Sequence, residues 1–241
     1  AGRVDFAILD LHDLAIAREK GADLVAVMPV VQQPLASILA APEIRRPKDL
    51  EGRRVGVTGL PSDVAVLRSI VEADGGDPDR VETTTIGFTA VPALLGGKVD
   101  AATAFWNVEG VALQRQRPAT RIFRLDAYGA PSYPELVLCT TSTTLQDRRS
   151  LVSAVVKALK RGYDETIIDP ESAVSALLDQ QEGLDRSAIE RDLDAVGPAF
   201  AAGPTGFGVF ARDAVTKWAA WEAEVGITKE PVNVPLTFPT L

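Results

Sequence analysis

Apolar positions follow two rhythms along this chain. Up to about residue 142, short apolar runs alternate with stretches of helical spacing; from Ser150 onward helical spacing takes over. Residues 5–9 predict a buried strand, and 11–20 a helix carried by Leu11, Leu14 and Ala15 and ended by Gly21. Residues 23–31 and 34–41 are β-rich apolar runs. A polar turn at 47–52 precedes a strand at 54–58. Gly59-Leu60-Pro61-Ser62-Asp63 then leads into a helix at 64–73, with Ser62 or Asp63 as its N-cap. Strands at 81–86, 99–104, 121–125 and 135–142 and a short helix at 90–95 complete the first part. In the second part Leu151, Val152, Val155, Val156 and Leu159 repeat at helical spacing, and further helices start near 169, 184 and 211. A glycine-rich loop at 203–208 lies between them, and the tail after Pro231 reads as extended.

Alternating strands and helices predict an α/β fold with largely parallel sheets. One phrase occurs twice, about 95 residues apart: Gly-Arg-Val-Asp-Phe-Ala-Ile-Leu at 2–9 and Gly-Lys-Val-Asp-Ala-Ala-Thr-Ala at 97–104. Each opens a strand that ends in a polar cluster, Asp10-Leu11-His12-Asp13 and Trp106-Asn107-Val108-Glu109. Open α/β sheets bind ligands beyond the carboxyl ends of their strands, so both clusters are expected to face one shared cleft between two lobes. With no linker of independent domains, the expected division is 1–34 plus 168–241 for lobe 1 and 35–167 for lobe 2.

Composition narrows the function. A net charge of −8 disfavours a nucleic-acid or anionic-membrane surface. A single cysteine, Cys139, excludes an internal disulfide and a cysteine metal cage; in its apolar strand it reads as a small core residue. The single histidine, His12, rules out a multi-His metal site. No apolar run reaches the roughly 18 residues that cross a bilayer. The chain enters a strand turn at once, so the expectation is a fragment or a chain whose front is cut away.

The strongest local constellation is Phe105-Trp106-Asn107-Val108-Glu109-Gly110, at the carboxyl end of a buried strand. An indole stacks on a flat ring, while an amide and a carboxylate fix ring nitrogens. The same residues also suit a packed Trp and a solvated Glu. Ser62, opening a helix after a strand, offers backbone N–H groups to a polar ligand atom, or is plain helix capping. Asp10 and His12 follow the first repeat strand, where His12 donates to a ligand or caps a helix. Tyr128 and Tyr133 lie on a loop suited to lid a cleft or to pack as a turn, as does Phe207. Trp218 and Trp221 fall on one amphipathic helix and read as core. No Gly-x-Ser-x-Gly, Gly-Lys-Ser/Thr phosphate loop or His-Glu-x-x-His is present, and the chain leans towards binding.

At this point the chain resembles the thiamine-biosynthesis-like, pyrimidine-precursor-binding group of type II periplasmic substrate-binding proteins of ABC importers. The carriers are Gly2-Arg3-Val4-Asp5-Phe6-Ala7-Ile8, the stretch 47–56, Gly59-Leu60-Pro61-Ser62-Asp63, Gly87-Phe88-Thr89-Ala90-Val91-Pro92-Ala93-Leu94, the 105–110 constellation and Tyr133-Pro134-Glu135-Leu136-Val137. The resemblance implies a two-lobed fold with ligand in the cleft, lobe 1 being incomplete at its N-terminus by roughly 60 residues. It implies a formylated aminopyrimidine or related thiamine precursor as ligand, Glu109 bonding the ring amino group, and Trp106 or Phe105 facing the ring. Asn107, Ser62, Phe88, Asp10, His12 and Tyr133 complete the implied site. Phe105, Thr89 and Phe207 stand where relatives often carry Tyr, Asn and Trp, changes that fit a different ring. No cofactor or metal is implied. The implied partner is the membrane part of an importer, outside the cytoplasm, and the open first lobe implies a homodimer or strand exchange. Riboflavin or a sulfonate is an alternative ligand. A pyridoxal-phosphate-using pyrimidine synthase of the same fold and a severed ligand-sensing module are alternative functions, although the synthases' cysteine-rich patch cannot exist with one cysteine.

Overall fold

The computed structural model describes residues 4–200 and 206–241. Gly2 and Arg3 of the first repeat, and Gly203-Pro204-Thr205 of the glycine-rich loop, lie outside the described residues. In chain order the elements are β1 (Ala7–Asp10), α1 (Leu11–Glu19), β2 (Val25–Val31), β3 (Ala36–Ala40), β4 (Arg54–Val57), α2 (Pro61–Ala73), β5 (Glu82–Thr85), α3 (Ala90–Leu95), β6 (Ala101–Phe105), α4 (Val111–Gln116), β7 (Arg121–Arg124) and β8 (Leu136–Thr140). Then follow α5 (Ser142–Asp147), α6 (Arg149–Ile168), α7 (Pro170–Gln180), α8 (Arg186–Phe200), α9 (Arg212–Glu224) and α10 (Val234–Thr237).

The chain divides into two compact units. Unit 1 holds residues 1–33, 133–220 and 230–241, and unit 2 holds 34–132 and 221–229. This corrects the expected boundary at 167. Residues 133–167 belong to unit 1 because β8 is the central strand of its sheet, hydrogen-bonded to β1 on one side and β2 on the other. The apolar pattern of β8 marks it for burial without naming its neighbours.

In unit 1 the sheet has the order β1-β8-β2, and both pairings are antiparallel. β2 is buried along its whole length, as its Val-Ala-Val-Met-Pro-Val-Val run requires. Pro29 is tolerated because β2 is an edge, where a missing N–H breaks no second ladder. β1 departs from the expected buried strand: it is only half-buried, and Ile8 is 53% exposed. Fully buried Trp218, Tyr133, Phe238 and Met28 form the core, Trp218 meeting Phe238 edge-on at 6.1 Å. Trp221 is only half-buried. The tail is not extended throughout: Asn233 accepts from the Leu236 N–H at 3.1 Å and caps α10.

In unit 2 the order is β5-β4-β6-β3-β7. β4 runs parallel to β5 and β6, but β3 runs antiparallel to β6 and β7. The sheets are therefore mixed in this unit and antiparallel in unit 1, a correction to the largely parallel expectation. Parallel pairs arise where helical crossovers link the strands, here through α2 and α3. β3 enters before those crossovers and takes the opposite direction. Leu39, Ile86, Leu94, Val99, Ala102 and Leu113 pack on one face of this sheet. β5, Glu-Thr-Thr-Thr, is an exposed polar edge, which discourages pairing with another chain.

Candidate functional site

Unit 2 places three chain segments at the carboxyl ends of three adjacent parallel strands. Residues 58–60 follow β4, 86–89 follow β5 and 105–110 end β6. Six of the sequence-derived candidates sit there: Ser62, Phe88, Phe105, Trp106, Asn107 and Glu109. Open α/β sheets in general bind ligands beyond the carboxyl ends of their parallel strands.

The first segment is locked by Asp63. Its Oδ2 accepts from the Thr58 hydroxyl at 2.6 Å, the Gly59 N–H at 2.9 Å and the Leu60 N–H at 3.2 Å. Its Oδ1 accepts from the Thr103 hydroxyl at 3.3 Å, tying the loop to β6. Leu60, not Ser62 or Asp63, occupies the N-cap position, and Asp63 reaches back from the first turn. The loop needs a glycine: Gly59 has φ +99°, and a Cβ there would lie 3.2 Å from Thr85 Cγ2. Ser62 is buried on the first turn of α2. Phe88 is the opposite case, with 79% of its surface open.

Residues 106–110 form a single π-helical turn, a local widening that recurs at functional sites. Its first residue is anchored by two hydrogen bonds. The Trp106 N–H donates to Leu35 O at 3.1 Å, and the indole Nε1 donates to Pro34 O at 2.9 Å. Arg124 lies over the indole, 4.3 Å from the ring centroid, and is itself held by two bonds to Asp126. Glu109 is half-buried, and its Oε2 accepts from the Phe105 N–H at 3.2 Å. Asn107 is 6% exposed, and its Oδ1 is buried without a hydrogen-bond partner.

The remaining candidates, Asp10, His12 and Tyr133, lie in unit 1. Asp10 Oδ1 accepts from the N–H groups of His12 at 2.7 Å and Asp13 at 3.4 Å, so it caps α1. His12 Nε2 meets the Tyr133 hydroxyl at 2.9 Å, and that hydroxyl donates to Glu135 Oε2 at 3.4 Å. All three of these side chains are buried. Tyr133 is therefore buried in the core rather than exposed on a lid, in keeping with its place just before the central strand β8. Sequence reasoning missed Glu135 as its partner; the Tyr-Pro-Glu step entering an apolar strand was the available signal. Among the described residues, Asp10, His12 and Glu135 bring one potential metal-ligand atom each within 4.8 Å of one another. Burial pushes the Cys139 thiol up to about 12, as suits an inert core residue.

Comparison with known proteins supplies the family. Residues 1–173 match the family described as NMT1/THI5 like. The chain belongs to the NMT1/THI5-like family. A formylaminopyrimidine-binding protein of Halalkalibacterium halodurans is 30% identical to this NMT1/THI5-like chain over 185 residues, 76% of this chain and 56% of that protein. The chain thus spans little more than half the length of that relative. Among solved structures, the periplasmic aliphatic sulphonate binding protein SsuA of Escherichia coli matches with TM-score 0.75 at 18% identity, covering 98% of this chain and 80% of that one. The alkanesulfonate-binding protein SsuA of Xanthomonas axonopodis pv. citri, bound to MOPS, matches with TM-score 0.74 at 17% identity, covering 98% and 79%. These likenesses establish the periplasmic-binding-protein fold for this NMT1/THI5-like chain. No described helix is long and apolar enough to cross a membrane.

Proposed function

We propose that this chain is the substrate-binding component of an ABC importer, working outside the cytoplasmic membrane, and that its ligand is a small aromatic heterocycle of the thiamine-precursor aminopyrimidine type. The observation that carries the reading is the π turn at the end of β6, which sets a buried amide, Asn107, and a carboxylate, Glu109, two residues apart and just after the Phe105 ring. The relationship to a formylaminopyrimidine-binding protein supports the same ligand class.

Each side chain then has a task. Glu109 accepts a hydrogen bond from an exocyclic amino group. Asn107 Oδ1, buried and unpartnered, gains a donor from the ring edge; leaving such an acceptor unmet costs about 1–3 kcal/mol, which ligand binding recovers. Arg124 covers part of Trp106, so Phe105 and the exposed Phe88 are the better stacking partners. Importer membrane subunits are the protein partner in this reading.

The test is a thermal-shift screen against aminopyrimidines, thiamine, riboflavin, taurine and alkanesulfonates. A ligand that binds only the folded state raises the melting temperature with its concentration. A shift with an aminopyrimidine that disappears in Glu109→Ala is the expected result. A shift with riboflavin or a sulfonate alone assigns a different ligand class, and a shift that survives Glu109→Ala moves the site elsewhere.

A further inference from the structure

The charge of this protein is concentrated in one helical stretch. Residues 161–200 carry ten acidic and three basic side chains, a net of −7 out of the chain's −8. One of the three bases, Arg186, is already engaged with Glu190 at 3.5 Å. The stretch forms the end of α6, all of α7 and all of α8, within unit 1.

Large aliphatic side chains are exposed in the middle of this acidic surface. Ile167 and Ile168 close α6 with 49% and 76% of their surfaces open, flanked by the exposed acids Asp164, Glu165 and Glu171. Beside them a groove of about 400 Å³ is lined by Ile167, Pro170, Leu193, Asp194, Pro198 and Phe200, among others. Phe200, packed edge-on against Tyr163 at 4.9 Å, is a firm part of that lining. Pro198 sits inside α8 and has no N–H, so the Asp194 carbonyl lacks the donor a helix would supply four residues on. Asp194 is exposed and adds a carboxylate to a groove whose lining is mostly apolar.

We infer that this groove is a docking surface for a basic protein segment, one that places an aliphatic side chain between Ile167, Leu193 and Phe200 while Arg or Lys groups meet Asp194 and the acidic rim. Charge complementarity selects this occupant. The same acidic field repels anionic lipid and nucleic acid. Apolar side chains rimmed by charge of one sign are the surface such a segment fits. The inference rests on unit 1 alone and holds whichever ring unit 2 binds.

The test uses an amphipathic Arg/Leu peptide, its Glu/Leu counterpart, and anionic phosphatidylglycerol vesicles, each titrated into isotope-labelled protein and followed by amide NMR. The expected result is shifts concentrated at 164–171 and 190–200 with the Arg/Leu peptide, weakening as salt rises, and none with the other two probes. Ile167 lines the groove with 49% of its surface open, so Ile167→Ser is expected to leave ring binding unchanged and the melting temperature close to the parent's while weakening the peptide roughly tenfold. Shifts scattered over the surface, an Ile167→Ser variant that binds the peptide as the parent does, vesicle binding, or no shift at all would each overturn the assignment.

Discussion

The guanidinium carbon of Arg124 lies 4.3 Å from the centroid of the Trp106 ring and covers one face of the indole. The same indole donates Nε1–H to Pro34 O at 2.9 Å. Trp106 is thus the anchor of the π turn, and Phe105 and Glu109 are positioned by it. Arg124→Ala is expected to cost about 0.5–1 kcal/mol, the usual worth of a partly exposed cation–π contact. Trp106→Phe is expected to cost about 1 kcal/mol for the lost hydrogen bond. Urea unfolding followed by circular dichroism measures both. A Trp106→Phe protein as stable as the parent would remove the anchor role.

Asn107 separates stability from binding. Its Oδ1 is buried without a partner, so Asn107→Ala removes an unmet acceptor along with some packing. The melting temperature is expected to stay level or rise, while affinity for the ring falls about tenfold for one lost hydrogen bond of about 1.4 kcal/mol. Calorimetric titration beside thermal melts reads both quantities. A variant that melts far below the parent and binds normally would make Asn107 a structural residue only.

Asp63 accepts four hydrogen bonds that join Thr58, Gly59, Leu60 and Thr103. Asp63→Ala is expected to destabilise by about 2–3 kcal/mol, combining the loss of a helix-start acceptor with bonds to a charged group. Asp63→Asn keeps one acceptor oxygen and is expected to lose less. Equal stabilities of Asp63→Ala and the parent in urea would show that the loop does not depend on this carboxylate.

Cys139 is buried in β8, and burial pushes its thiol up to about 12. A thiol held neutral is a poor nucleophile. Native protein is expected to react with Ellman's reagent at mildly alkaline pH only as fast as it opens, and to release one equivalent promptly once unfolded. Prompt reaction of the native protein would contradict the burial of β8.

Asp74 accepts from Arg46 Nε at 2.7 Å and Nη2 at 2.8 Å and from the Lys48 N–H at 2.9 Å. The bonded Arg46 guanidinium, opposed in part by burial and aided by Lys48 N–H, holds the Asp74 carboxyl below the usual carboxylate range. A carboxyl depressed in the folded state stabilises fully above its unfolded value, near 4, and that contribution disappears as pH falls through the lower folded value. The stability gap between the parent and Asp74→Asn is therefore expected to be constant near neutrality and to close in acid. Urea midpoints across the acid range test this; a gap that persists unchanged through that range would exclude the linkage.

Much of the local structure was legible in the residues themselves. The wholly apolar Val-Ala-Val-Met-Pro-Val-Val run of β2, the strand–helix alternation up to β8, the long helices after it and the buried Cys139 all follow from periodicity and turn residues. So does the placement of Phe105, Trp106, Asn107 and Glu109 at a strand's carboxyl end, because a strand's own sequence shows where it stops. The concentration of negative charge in residues 161–200 is also plain from the sequence.

What only the tertiary structure decided is which segments meet. His12 bonds Tyr133 across 121 residues, and Trp106 bonds Pro34 across 72. β8 lies between β1 and β2 and thereby draws residues 133–167 into unit 1, and β3 runs against β6. Periodicity reports which side chains favour leaving water, since hydrophobicity is a property of the residue. Strand order, direction and hydrogen-bond partners depend on how distant surfaces pack, and no single stretch of chain contains that information.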